Sequence, residues 1–231
     1  IQQPIYLTRI DGHAAWVNSI AIKKTGKTIS KLNEIDGGQI INDCILIDNS
    51  MNPFKSFLPK ESKKNVKDWI LLAAKRATQM GITTVHDAWQ DKIIIDAIKE
   101  LINEDKFPIR CYGMLASNDQ SLLNHYFQQG HYNNEYLTIR SVKAFIDGAL
   151  GSRGAALHEP YCDDAHNCGL ILISKEEFRE LAASCYKYDF QLNTHAIGDR
   201  GNTYVLDHYA SAVGENNDKR WRIEHAQMVS D

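Results

Sequence analysis

Residues 190–202 read FQLNTHAIGDRGN and residues 220–227 read RWRIEHAQ. Each begins as a strand-like run and gives out at a histidine, His195 in the first and His225 in the second. A glycine-bearing turn and the helical pattern RGNTYVLDHYASAV lie between them, so the two histidines, thirty residues apart, sit one β-α repeat apart. Neighbouring parallel strands run about 4.8 Å apart, close enough for two such tips to reach one ion. A single histidine at a strand end is more often a hydrogen-bonded structural residue. Two at equivalent positions of successive units favour a pair of metal ligands, because neutral imidazole is the commonest metal-binding side chain.

The same alternation runs back to residue 65. NVKDWILLAAKRATQM (65–80) sets Val66, Trp69, Ile70, Ala73 and Ala77 at helical spacing and stops at Gly81. ITTVHDA (82–88) is a β-branched run, DKIIIDAIKELINED (91–105) a helix, and Pro108 opens the strand IRCYGML. DQSLLNHYFQQG (119–130) is helical and YLTIRSVKAFID (136–147) is strand-like to its end. Ser174 and Glu177 fit a capping box for the next helix. Five strands with helices between them, each read as apolar on both faces, predict a parallel sheet covered on both sides. Residues 1–64 are strand- and turn-rich without that alternation. They are expected to form an inserted segment or small subdomain near one end of the sheet, leaving 65–231 as the main unit.

Composition narrows the class. The chain has 231 residues, 43% hydrophobic and 24% charged, with a net charge of −3. No stretch is basic enough for a nucleic-acid surface; KTGKTISK (24–31) reads as a solvated loop. No apolar run approaches the ~20 residues that span a bilayer. Five scattered cysteines, an odd number, favour reduced thiols in a cytoplasm over a disulfide framework. Cys162, His166 and Cys168 in YCDDAHNC have the wrong spacing for a zinc ribbon or finger. The opening IQQPIYLTRI and the closing RIEHAQMVSD both look cut, so a piece of a longer protein is expected.

Polar residues gather where the predicted strands end: His86 and Asp87, Lys143 and Asp147, His195 with Asp199 beyond, His225 with Gln227 beyond. In α/β sheets and barrels these C-terminal ends are where loops converge and sites form. Lys143, inside the run VKAFI, would carry a desolvated ammonium. It is either paired with Asp147 or another carboxylate, or changed chemically; carbamylation by carbon dioxide would make it an anionic oxygen ligand.

Five stretches in order, RIDGHAAWVNS, GITTVHDA, VKAFIDGALGSRGAAL, HAIGDRGN and RIEHAQ, resemble the amidohydrolase superfamily. More narrowly they are similar to its YtcJ-like branch, amidohydrolase family 3, which includes N-substituted formamide deformylases. The resemblance covers nearly the whole chain. It implies a metal-dependent (β/α)₈ barrel hydrolase with one or two divalent ions, zinc first among them, acting on an amide-type C–N bond of a small, non-peptide molecule. A water whose pKa the metal lowers toward ~7 would attack the carbonyl. Lys143 matches the fourth-strand lysine, His195 the fifth-strand histidine and His225 the sixth-strand histidine, so the chain corresponds to strands two to six, with residues 1–64 between strands one and two.

Two parts of the family pattern have no counterpart in the 231 residues: an HxH pair, and the strand-eight aspartate that shuttles protons. Negligible hydrolysis and weak or no metal binding are expected of this piece alone, and its open sheet edges invite self-association. Asp147 and Asp199 are candidates for orienting an imidazole, Asp199 equally for capping a helix. Arg153 in GALGSRGAA, and Asp11 and His13 in RIDGH, are candidates for substrate contact, with a turn-forming role for Asp11 the stronger alternative. Two other readings stay open: a relative that has lost its chemistry, and an α/β module that binds an anion or phosphate at AIGDRGN before a helix.

Overall fold

The N-terminal segment builds its own sheet. Strands β1 (Tyr6–Thr8), β2 (Ala14–Val17), β3 (Gly38–Ile41) and β4 (Ile45–Asp48) pair antiparallel in the order β1-β2-β4-β3. It is less turn-like than expected: α1 (Ser19–Lys24) and α2 (Ile29–Asn33) separate β2 from β3, and α3 (Asn52–Lys55) follows β4. Asn18 and Thr28 start the first two by accepting backbone N–H groups with their side chains. Val17, Leu32, Leu46 and Phe54 close a small core of their own. The structure, a computed structural model, describes residues 2–214 and 218–230.

From α4 (Lys63–Gln79) onward, strand and helix alternate: β5 (Thr84–Gln90), α5 (Lys92–Asn103), β6 (Arg110–Ala116), α6 (Gln120–Gln129), a two-residue β7 (Tyr132–Asn133), β8 (Leu137–Phe145), α7 (Lys175–Lys187), β9 (Gln191–Ala196), α8 (Asp199–Val213) and β10 (Arg222–His225). Side-chain caps set the starts. Ser62, Asp91 and Asp119 each accept an N–H, and Ser174 with Glu177 forms the expected capping box.

The five long strands pair in parallel, in the order β10-β9-β8-β6-β5, while β7 lies antiparallel beside β8. Laid flat, the outer two would stand about 19 Å apart. Instead Arg222 Nη2 on β10 reaches His86 Nδ1 on β5 at 3.2 Å, across the concave face. The sheet is therefore curled: a half-barrel, the predicted partial (β/α)₈ fold, with the antiparallel sheet added at its N-terminus.

Two expectations about the faces need correcting. The strands are not apolar on both sides. Leu115, Leu137, Ile139, Val142, Leu192 and their neighbours pack outward on the helices around Phe178 and Phe190. The concave side instead carries Tyr112, Lys143, Gln191, Asn193, Arg222 and Glu224, as a barrel lumen that holds chemistry requires. On α4, Trp69 is 52% exposed, and the buried stripe runs through Val66 and Ala74 with Ile70 and Ala77 beside it. Trp69 and Ala73 lie on the neighbouring, exposed face, so the apolar stripe is offset from the one their spacing predicts.

Among the described residues no helix is long and apolar enough to cross a membrane. All five cysteines are free, Cys111 and Cys185 buried and Cys162 exposed.

Candidate functional site

The register of the last three parallel strands sets Lys143 beside Asn193, Phe145 beside His195, and His195 beside Glu224. His195 is buried, and its Nε2 lies 3.1 Å from the carbonyl oxygen of Gly148. A carbonyl only accepts, so Nε2 carries the proton and Nδ1 keeps the lone pair. Burial, opposed by the Gly148 hydrogen bond and reinforced by the nearby Lys143 charge, pushes the pKa down to about 3. The ring is neutral, as a metal ligand must be.

That depression has a sign in stability. An unfolded histidine takes up a proton near pH 6.5, whereas native His195 resists until about 3. Stability therefore falls as pH drops through this window, by up to about 1.4 kcal/mol per pH unit from this group. Urea unfolding of wild type and His195→Asn, compared between about pH 7.5 and 5, should give a shallower pH slope in the variant. Equal slopes would mean that the ring is not held neutral.

His225 ends β10 at the surface, its ring centroid 4.6 Å from that of His195. Strand alternation puts Glu224 and His225 on opposite faces. The φ of +82° at His225, and of +43° at Ala226, breaks the alternation where the ring must turn back to its neighbour. Non-glycine residues rarely adopt such angles, and they collect at functional sites.

Lys143 is 2% exposed. Its Nζ donates to the Ala144 carbonyl at 3.1 Å and lies 3.5 Å from the centroid of the Phe145 ring. Burial lowers its pKa to about 7, with Glu224 pulling the other way. It is not paired with Asp147. That carboxylate, fully buried, accepts N–H groups from Ala156 (2.9 Å), Ile197 (2.9 Å) and Gly198 (2.8 Å), tying the end of β8 to the start of α8. Its Oδ1 also comes within 3.5 Å of His195 Nε2, but a neutral ring makes no ion pair.

The remaining candidates divide. Among the described residues Asp199 orients no imidazole, and it does not cap α8, whose N-cap is Gly198: its Oδ1 accepts the N–H of His158 (2.9 Å), from the loop after β8, and of Arg200 (2.8 Å). Arg153 is tied to Asp163, Nε to Oδ1 at 3.1 Å, on the surface of its loop and away from the cleft. Asp11 does form the turn, accepting the His13 N–H at 3.1 Å, and it also lines the cleft with His13. His13 stands over His195, ring centroids 5.1 Å apart. The cleft holds about 1150 Å³ between the N-terminal sheet and the mouth of the half-barrel. Trp89 and Phe145, edge to face at 5.1 Å, form its aromatic wall.

Sequence reasoning missed Asp48 and Glu224. Asp48 ends an apolar strand, the same signature as His195, but in an antiparallel sheet where no convergence is expected. Glu224 shares a face with Arg222 by strand alternation, and Arg222 Nε lies 2.7 Å from its Oε1.

Among the described residues no three His, Cys, Asp or Glu side chains gather as a metal-holding group. The donors that fit a metal are the two imidazoles, with Lys143 near enough for its charge to act on both.

The amidohydrolase family model matches residues 2–231. The chain belongs to the amidohydrolase family. Among curated proteins this amidohydrolase chain is similar to Protein LONG AFTER FAR-RED 3 of Arabidopsis thaliana, 33% identical over 99% of the chain and 42% of that protein. It is also similar to the putative amidohydrolase YtcJ of Bacillus subtilis, 28% identical over 98% of the chain and 44% of that protein. Among solved structures it resembles an uncharacterized metal-dependent hydrolase from Pyrococcus furiosus (TM-score 0.71, 25% identity), covering 100% of this chain and 47% of that one. A counterpart from Pyrococcus horikoshii shares the fold (TM-score 0.73, 24% identity), covering 100% of this chain and 46% of that one. The chain thus spans less than half the length of each of these relatives.

Proposed function

We propose that this chain supplies part of the active site of a metal-dependent hydrolase that cuts amide-type C–N bonds in small, non-peptide molecules. The observation that carries the reading is the meeting of two strand-end imidazoles, 4.6 Å apart by ring centroid, beside a buried lysine. A divalent metal there, zinc in this reading, would polarise the carbonyl and lower the pKa of the attacking water. His195 would hold it through Nδ1, because Nε2 is committed to Gly148; His225 would be its neighbour in the ligand set.

Lys143 has its own chemistry. Just above neutrality its amine is largely unprotonated, the form that would add carbon dioxide: an N–C bond would form as one C=O π bond opens and a proton leaves, giving an anionic carbamate oxygen that would be available to a metal. The Phe145 ring over Nζ screens it from bulk water. The relatives' greater length leaves room for the HxH pair and the proton-shuttling aspartate. The 231-residue chain alone is proposed to hydrolyse negligibly and to hold zinc weakly. The open edges of β5 and β10 suit pairing with another copy, and a cytoplasmic setting suits five free cysteines.

The anion-binding reading loses its basis at the start of α8. The N–H groups of Ile197 and Gly198 are taken by Asp147, that of Arg200 by Asp199, and that of Gly201 by the Ala156 carbonyl. An internal carboxylate already fills the place of the anion.

The test is hydrolysis of N-substituted formamides and cyclic amides by the full-length protein, prepared with zinc in bicarbonate. Dialysis against a chelator should remove activity, and zinc should restore it. Activity that survives complete metal removal would sink the reading, and stoichiometric zinc in the 231-residue chain would overturn its expected weak binding.

A further inference from the structure

We propose that Asp48 and His13 form a pair, carried into the site by the N-terminal sheet, in which Asp48 fixes the imidazole and His13 Nε2 touches the substrate. The inference rests on the hydrolase reading for the identity of that substrate, and it gives the N-terminal sheet a part in the chemistry.

Four observations meet here. His13 Nδ1 lies 2.6 Å from Asp48 Oδ1, and the Asp48 side chain is 2% exposed. Asp48 is delivered by a φ of +46°, a left-handed angle at a non-glycine residue that ends its strand. Its second oxygen, buried and without a hydrogen-bond partner, presses on the loop after β8. A Cβ at Gly148 would come within 2.2 Å of that oxygen, and one at Gly154 within 2.4 Å. Glycine therefore stands at the two loop positions where the carboxylate needs room, which accounts for part of the pattern GALGSRG. Finally, the fixed ring faces the cleft: it lies 5.1 Å from His195 and 6.1 Å from Phe145, with Asp11 holding its backbone N–H.

The pairing decides which nitrogen is available. A carboxylate only accepts, so Nδ1 carries a proton toward Asp48. No group among the described residues takes Nε2. A substrate whose reacting amide sits at His195 and His225 lies beside the His13 ring, whose centroid is 5.1 Å from that of His195. Asp48 is then a positioning residue, acting through the ring, and His13 is the one that makes contact.

Substitutions can separate the two nitrogens. The amide of glutamine reaches roughly where Nε2 sits, and that of asparagine roughly where Nδ1 sits. With N-benzylformamide as probe and the full-length protein loaded with zinc, His13→Asn should lower kcat/KM by about thirtyfold or more, while His13→Gln should stay within about tenfold of wild type. Asp48→Asn should fall between them. The reverse order, asparagine better tolerated than glutamine, would mean that only the link to Asp48 matters and would overturn the proposal; so would three variants within twofold of wild type.

A second readout does not depend on turnover. Diethyl pyrocarbonate should label His13 and leave buried His195 unlabelled, with N-benzylformamide protecting His13. If wild type hydrolyses no amide but the probe still protects His13, the hydrolase reading fails and the contact stands. An unreactive His13, or a reactive one that the probe never protects, sinks the pair itself.

Discussion

Lys143→Met in the full-length protein should lower kcat/KM for an amide substrate by at least about a hundredfold while leaving stability unchanged or slightly higher. The two halves follow from one fact. A lysine with 2% exposure keeps an amine where apolar packing would be more favourable, and burial pulls its pKa to about 7. Methionine fills much the same space without a charge to desolvate, so the fold should not suffer. What disappears is the nucleophilic nitrogen, with any carbamate oxygen it could offer a metal. Comparing kinetics with urea midpoints on the same preparation checks both halves. A Met variant within threefold of wild type would make Lys143 a packing residue with a snorkelling amine.

Asp147→Ala should be the most damaging single change to the fold. It leaves the N–H groups of Ala156, Ile197 and Gly198 without their acceptor, all inside the joint between β8 and α8. A buried donor left unpaired costs about 1–3 kcal/mol, so three cost at least about 3 kcal/mol. Domains of this kind are stable by about 5–15 kcal/mol, which makes the loss a large share. Asp147→Asn should be milder, because one oxygen remains to accept. Equilibrium urea denaturation of the three proteins measures this directly. A cost below about 1 kcal/mol for alanine would mean that water replaces the carboxylate, and that the joint is wetter than described.

Much of this architecture was legible because it depends on local chemistry repeated along the chain. The five parallel strands and the helices between them follow from periodicity, capping residues and turns. The capping box at Ser174 and Glu177 appears as read. The meeting of His195 and His225 was legible because one βα repeat separates two like residues. What escaped depends on which way a face points. Trp69 sat at a plausible helical position and is exposed. Glu224 stands next to a strand-end histidine, and only strand alternation, which turns it toward Arg222 and Lys143, distinguishes it from an ordinary surface carboxylate. Asp48 lies thirty-five residues from His13, in a sheet whose packing over the half-barrel no local pattern encodes. Asp199 and Arg153 had the right chemistry and the wrong partners: each is occupied by its own loop, and only three-dimensional neighbours reveal that.

We propose that His195 and His225 hold a metal in the full-length protein. An anomalous-difference map at the zinc edge, from crystals of the full-length protein grown with zinc, tests it most directly. A peak is expected about 2.0–2.1 Å from His195 Nδ1, with a His225 ring nitrogen in the same ligand shell. A map with no zinc at these rings, or with zinc only on the loop of Cys162, His166 and Cys168, would contradict it.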